Sequence, residues 1–174
     1  MIYAYNNKTT FFTLVELLVV IAIIALLAGL LMPGLHMART KARAIHCRGN
    51  LHNIATGFRM YLDDANDIMP TVAQLPSAGL VDAPGIAEVL KPYLDNSAVF
   101  NCPADSVGYY ESEGSSYEYN ANLCDRRVED TFLSRRLGYE NVPVMYDYEP
   151  FHGDPGKPGA ANYLFADGHV GDMN

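Results

Sequence analysis

The sequence predicts an α+β chain in which one long N-terminal helix, apolar enough in its first half to span a membrane, packs its second half on a small antiparallel sheet. Three observations carry that prediction. An apolar run extends from Phe11 to Leu35 with Glu16 as its one charged residue, and about 20 such residues suffice to cross a bilayer as a helix. Next, Ala44, Cys47, Leu51, Ile54, Phe58 and Tyr61 recur at spacings of three and four, which draws a single apolar stripe on a helix. Past residue 114, short segments rich in Tyr, Val and Phe alternate with turn residues, as strands do.

Taken in order, the first element is the apolar run. An ionised carboxylate inside hydrocarbon costs on the order of 3 kcal/mol, so Glu16 needs a partner. A positive charge met inside an assembly is one answer; a plain anchor with Glu16 near the interface is the other, and composition weighs them equally. Opposite the stripe stand Arg48, Asn53, Arg59 and Asp63. Acids at 63, 64 and 67 oppose the helix dipole at its C-terminal end, and Pro70 follows, so the helix should stop near Ala65. From Phe12 that is about 54 residues, or roughly 80 Å at 1.5 Å each. Gly34, Gly49 and Gly57 each weaken it by about 1 kcal/mol and mark places to bend. Gly85 to Leu94 reads as a short helix, and VFNCPAD (Val99 to Asp105) as an extended piece. Ser115 to Leu123, Val142 to Tyr148 and Asn162 to Ala166 read as strands. Asp167-Gly168, between NYLFA and HVGDM, reads as a two-residue hairpin turn with positive φ at both positions. The divisions expected are 1–11, 12–35, 36–66 and a head at 67–174.

Charge is split along the chain. Residues 1–62 hold one acid and six Lys/Arg, whereas residues 63–174 hold 19 acids and six Lys/Arg, a net of −13. Nucleic acid is excluded as a partner of the acidic half, because phosphate binding rests on clustered Lys and Arg. Arg39, Lys41, Arg43 and Arg48 follow the apolar run directly and only Lys8 precedes it. Taken alone, that bias places the C-terminal half in the cytoplasm.

FTLVELLVVIAII, from Phe12 to Ile24, resembles the N-terminal segment of type IV prepilins and type II secretion pseudopilins. The resemblance implies a pilin-like fold, removal of residues 1–11 by a prepilin peptidase between Phe11 and Phe12, and N-methylation of Phe12. Phe11 stands where the family has Gly. Glu16 would meet the N-terminus of a neighbouring subunit, and Pro33 lies where many pilins carry a helix-kinking proline. The implied partners are inner-membrane lipid, the peptidase, and copies of this chain or other pilin-like subunits. The implied topology is a single pass with the globular part outside the cytoplasm, opposite to the local charge bias. His152 to Val170 (HGDPGKPGAANYLFADGHV) also resembles the C-terminal His-spacer-Asp-Gly element of a pilin-like family. That element joins His152 to Asp167, Gly168 and His169, with a spacer longer than the nine residues usual there. The function implied is a structural subunit of a pilus or secretion pseudopilus. The alternative is a monomeric, membrane-anchored domain that binds a cation, a glycan or an envelope partner.

Asp147, His152, Asp167 and His169 would make an acid–base or metal set if they converged. Their spacing matches no ligand motif, and the plainer reading has Asp167 in a turn, both histidines on a sheet rim and Asp147 solvated. An enzyme is therefore not expected. Major pseudopilins bind calcium near the C-terminus, and calcium takes several oxygen ligands; Asp154, Asp167 and Asp172 are the candidates by composition. Three cysteines allow one disulfide and one free thiol. Shared location in the head favours Cys102 with Cys124, and Cys47 on the helix stripe is the other partner open to Cys102.

Overall fold

The computed structural model describes residues 13–79 and 82–173, and divides at Arg39/Thr40 into two compact units. Helix α1, Leu14–Asp64, runs through both and continues past Pro33, which can donate no hydrogen bond to the turn before it. In the first unit the helix is exposed on all sides: Leu17, Leu18, Ile21, Ile24 and Leu31 are 55–71% accessible. It is long and apolar enough to cross a membrane.

The second unit is α+β. Strands β1 (Tyr117–Tyr119), β2 (Pro143–Asp147), β3 (Tyr163–Phe165) and β4 (Val170–Gly171) form a four-stranded antiparallel meander in sequence order. Tyr117 lies opposite Asp147, Met145 opposite Leu164 and Tyr163 opposite Gly171. The α1 stripe supplies the other half of the core. Cys47, Leu51, Ile54 and Phe58 are buried, and they join Tyr117, Tyr119, Met145 and Leu164 in one cluster. Arg48, Asn53, Arg59 and Asp63 face solvent, as the spacing requires. Two tyrosines tie the sheet to the helix and its exit: the Tyr117 hydroxyl donates to the Cys47 carbonyl at 3.3 Å and that of Tyr119 to the Pro70 carbonyl at 3.3 Å. Gly57 is needed for close approach and not for a bend, because a Cβ there would lie 2.6 Å from Leu94 Cγ.

Helix α1 ends where the acids and Pro70 indicate, and the closing device is local. Asn66 sits at φ 53° and the Asp67 N–H donates to the Leu62 carbonyl at 2.9 Å. That bond is the long 6→1 closure of a Schellman-type cap, here with both Asn66 and Asp67 (φ 62°) in the left-handed region. Helix α2, Ile86–Leu90, with a 3₁₀ turn at Lys91–Tyr93, fills the expected Gly85–Leu94 segment. The expectation for Val99–Asp105 is corrected. Ser97–Phe100 is a 3₁₀ turn whose start is capped by Asn96, Oδ1 accepting from Ala98 N at 2.9 Å. Helices α3 (Tyr109–Glu113) and α4 (Phe132–Leu137) are additions; helices of five or six residues carry too few apolar repeats to read as periodic.

The C-terminal hairpin forms where expected, but its turn is different. Phe165 N donates to the His169 carbonyl at 3.0 Å and Gly168 N to the Phe165 carbonyl at 2.9 Å. The loop is therefore three residues, Ala166 to Gly168, and only Gly168 has positive φ (92°). A tight turn closed by one left-handed residue is the three-residue solution, and it needs Gly at one position only. Asp167 instead caps the loop through its side chain, Oδ1 accepting from His169 N at 3.0 Å.

Asp105 organises the connection into the sheet. Its Oδ1 accepts from Val107 N and Gly108 N, and its Oδ2 from Tyr110 N and Ser116 Oγ at 2.8 Å. Burial pushes its carboxyl up, but these hydrogen bonds outweigh burial and hold it below 3.8. A depressed carboxyl adds stability that is present above the unfolded value and lost as pH falls through the folded one.

Two outcomes follow in chemical denaturation of the chain in detergent. Gly168→Val, which meets no neighbour but forces a β-branched residue to φ 92°, is expected to cost about 1–3 kcal/mol; an unchanged midpoint would show that the turn relaxes. Asp105→Asn is expected to be less stable than wild type at pH 7, with the gap closing below pH 3.8. A gap independent of pH would remove the charge from that account.

Candidate functional site

Two regions carry chemistry, one in each unit. At the start of α1 the sequence Thr13-Leu14-Val15-Glu16 forms a reciprocal capping box. Thr13 N and Thr13 Oγ1 donate to Glu16 Oε2 at 2.8 and 2.7 Å, and Glu16 N donates to Thr13 Oγ1 at 3.2 Å. Each side chain satisfies an N–H that the first helical turn leaves open. Glu16 thus has a local partner at the positive end of the helix dipole, in addition to any charge brought by another chain. The Phe11/Phe12 processing point lies outside the described residues.

The second region is a buried polar chain beneath the sheet. Cys47 and Cys102 form a disulfide with Cα atoms 5.2 Å apart, closing a loop of 55 residues; Cys124 is the free thiol. This corrects the preference for Cys102 with Cys124. The physical reason is placement: Cys47 is on the buried stripe of α1 and Cys102 at 1% exposure leaves the 3₁₀ turn directly over it, whereas Cys124 Sγ lies against the Val72 carbonyl. In a chain-entropy account a loop of this length is worth about 4 kcal/mol.

His152 Nε2 lies 3.6 Å from Cys102 Sγ and 3.4 Å from Asp147 Oδ2, with both the His152 and Asp147 side chains fully enclosed. Asp147 Oδ2 accepts from Asn162 N and Nδ2 at 2.7 and 3.0 Å. Asn162 Oδ1 accepts from Arg48 Nε at 2.8 Å, and Arg48 Nη2 reaches Asp172 Oδ1 at 2.7 Å. A line of contacts therefore runs from the disulfide to the surface, through His152, Asp147, Asn162 and Arg48. Asp147 Oδ1 and His152 Nδ1 are buried without a hydrogen-bond partner.

The expectation of a solvated Asp147 and a rim position for His152 is overturned, since they are 3% and 9% exposed. Asp167 and His169 pair separately at the exposed hairpin tip, Oδ1 to Nδ1 at 2.6 Å. The four residues form two sites. Asp154, Asp167 and Asp172 do not converge either: Asp154 is exposed, Asp167 holds His169 and Asp172 holds Arg48. Among the described residues, the grouping of His, Cys, Asp or Glu ligand atoms that is tight enough for a metal is Cys47, Cys102 and His152, within 4.8 Å of one another. Arg48 and Asn162 were missed by sequence reasoning. Arg48 was legible only as a polar-face residue, and Asn162 only as the first residue of a strand.

Comparison with known proteins gives an informative match. Over 73 residues the chain is 42% identical to the type IV wide pilus major component PilA4 of Thermus thermophilus, covering 42% of this chain and 56% of that protein. The chain spans about half the length of the curated relative it matches. No family model and no solved structure matches the chain.

The network separates two substitutions. Asn162→Ala keeps the backbone donor but removes the buried Nδ2 donor to Asp147 and the Oδ1 acceptor for Arg48, and is expected to cost about 1–3 kcal/mol. Arg48→Ala, with its side chain 44% exposed, is expected to cost under about 1 kcal/mol. Denaturant midpoints of the two variants in detergent check this; equal losses would mean that the chain of contacts is not energetically graded by burial.

Proposed function

We propose that the chain is a pilin-like structural subunit of a type IV pilus, assembled through its apolar N-terminal helix. The observation that carries this is the helix itself: α1 up to Leu35 exposes apolar side chains all round and has one charge, at its first turn. In water such a surface is untenable, and lipid or identical neighbouring helices are what cover it. A single carboxylate at the helix start adds direction, because an unpaired charge of roughly 3 kcal/mol in lipid is relieved when a neighbour's amino terminus meets it. Similarity to a pilus major component favours a pilus over a secretion pseudopilus, which is the finer alternative within the same reading.

In this proposal a prepilin peptidase cuts between Phe11 and Phe12, and Phe12 is N-methylated. The helix then stays in the inner membrane until assembly, with Thr40–Asn174 outside the cytoplasm. The Cys47–Cys102 disulfide supports that side of the membrane, since disulfides persist in oxidising compartments. The same disulfide outweighs the basic residues after the span as a guide to topology. The head acts as a folded module and not as an enzyme.

One experiment reads both processing and assembly: intact masses and yields from sheared surface filaments and from membranes, for wild type and Glu16→Ala. Wild type is expected in the sheared fraction, lacking residues 1–11 and carrying one added methyl. Glu16→Ala is expected to insert normally but fall at least ~10-fold in filaments, the equivalent of about 1.4 kcal/mol. Full-length protein in the sheared fraction, or equal recovery of the variant, would replace this reading with a monomeric anchored domain.

A further inference from the structure

We infer that, when the Cys47–Cys102 bond is reduced, Cys47, Cys102, His152 and Asp147 form a closed tetrahedral site for a zinc ion. The argument begins with the donor set. Two thiolates, an imidazole and a carboxylate are ligands that Zn²⁺ accepts together, and four protein ligands make a closed structural site. These four come from distant points in the chain: α1, the segment after the Ser97–Phe100 turn, the end of β2, and the loop before β3. The fold has nonetheless gathered three of them with ligand atoms within 4.8 Å of one another, all buried.

The spacing is that of ligands around an ion. Zn–S bonds of about 2.3 Å and Zn–N or Zn–O bonds of about 2.0–2.1 Å give tetrahedral edges of about 3.5 Å for S to N and 3.3 Å for N to O. Here Cys102 Sγ to His152 Nε2 is 3.6 Å and His152 Nε2 to Asp147 Oδ2 is 3.4 Å. The second contact is too long for a good hydrogen bond, so Nε2 is held between two ligand atoms, at sulfur hydrogen-bond distance from Cys102 and beside the Asp147 carboxylate. Because Oδ2 already accepts two hydrogen bonds from Asn162, which orients the carboxylate as an outer-shell group would, the oxygen open to an ion is the buried, unpartnered Oδ1. On reduction the sulfurs must part from a bonded pair to the edge of about 3.8 Å that two thiolates on one zinc require, and the gap between them and Asp147, which lies outside the three-residue grouping, must close.

The chemistry balances. A dithiol reductant gives two electrons and two protons to the Cys47–Cys102 bond and becomes a disulfide, leaving two thiols on the chain. Zn²⁺ then displaces both thiol protons to solvent and takes two thiolates, neutral His152 and ionised Asp147. Reoxidation of the thiols releases the ion. The site would hold α1 to the head in the newly made, still reduced chain, before the covalent link exists.

The test uses the full chain in detergent. The protein is reduced with dithiothreitol, freed of reductant and excess metal without air, and its zinc is counted after one equivalent has been added. Reduced wild type and Cys124→Ser are expected to retain about one zinc per chain, and the oxidised chain none. His152→Gln and Cys102→Ser are expected to bind at least ~10-fold more weakly. Because those variants can lose their fold, Co²⁺ is added to reduced wild type as well. Thiolate-to-cobalt charge transfer together with tetrahedral visible bands is the expected result. The inference is overturned if reduced wild type keeps no zinc or gives an octahedral cobalt spectrum. Equal retention by His152→Gln, or loss of zinc in Cys124→Ser, overturns it too.

Discussion

The head depends on one interaction: the burial of the α1 stripe Cys47, Leu51, Ile54 and Phe58 against a sheet whose strands are two to five residues long. Strands this short are not stable by themselves and need an apolar face covered by a helix. The stripe meets that need, and the helix gains a tertiary reason to persist where propensity alone would let it fray. Gly57 lets Leu94 approach, Tyr117 and Tyr119 extend hydroxyls to the helix and its exit, and the Schellman cap at Asn66 stops the helix before the chain turns back. Each of these features serves the same contact.

The covalent link and the polar chain lie where that contact is closest. Cys47 is on the stripe itself, so the disulfide joins helix and head inside the buried core. His152 and Asp147 are then enclosed beside two sulfurs, a costly placement for polar groups unless they find partners. Asn162 and Arg48 provide part of that satisfaction and carry it outward to Asp172. Among the described residues Asp147 Oδ1 and His152 Nδ1 remain buried without a protein partner, which makes this the costliest polar placement in the core.

The same helix has two kinds of surface. In Thr40–Asn174 it is amphipathic because one side meets a sheet; toward Leu14 it is apolar all round and exposed among the described residues. In the proposed reading that division is what an assembling subunit needs: a folded head keeps its own core, and the apolar end is covered by lipid or by copies of itself. Glu16 is the one charged group in the apolar run, and the capping box with Thr13 shows how it is accommodated in a single chain.

Local periodicity determined a great deal. The apolar run, the stripe with its three-and-four spacing, the stop near residue 65, the α2 segment, three strands and the position of the final hairpin were all legible, because each depends on neighbours within a few residues. The tertiary structure decided what depends on distant residues meeting. Shared location in the head favours Cys124 over Cys47 as partner of Cys102, and the pairing goes the other way because it turns on which elements cross at the core. It placed Asp147 in solvent because a lone acid at a strand end ordinarily is; only the return of the chain through His152 and Asn162 encloses it. It read Asp167-Gly168 as a two-residue turn, and the β3–β4 register added Ala166 to the loop. Spacing along a chain reports which faces are apolar, whereas which faces touch, and which polar groups are trapped between them, is settled by packing.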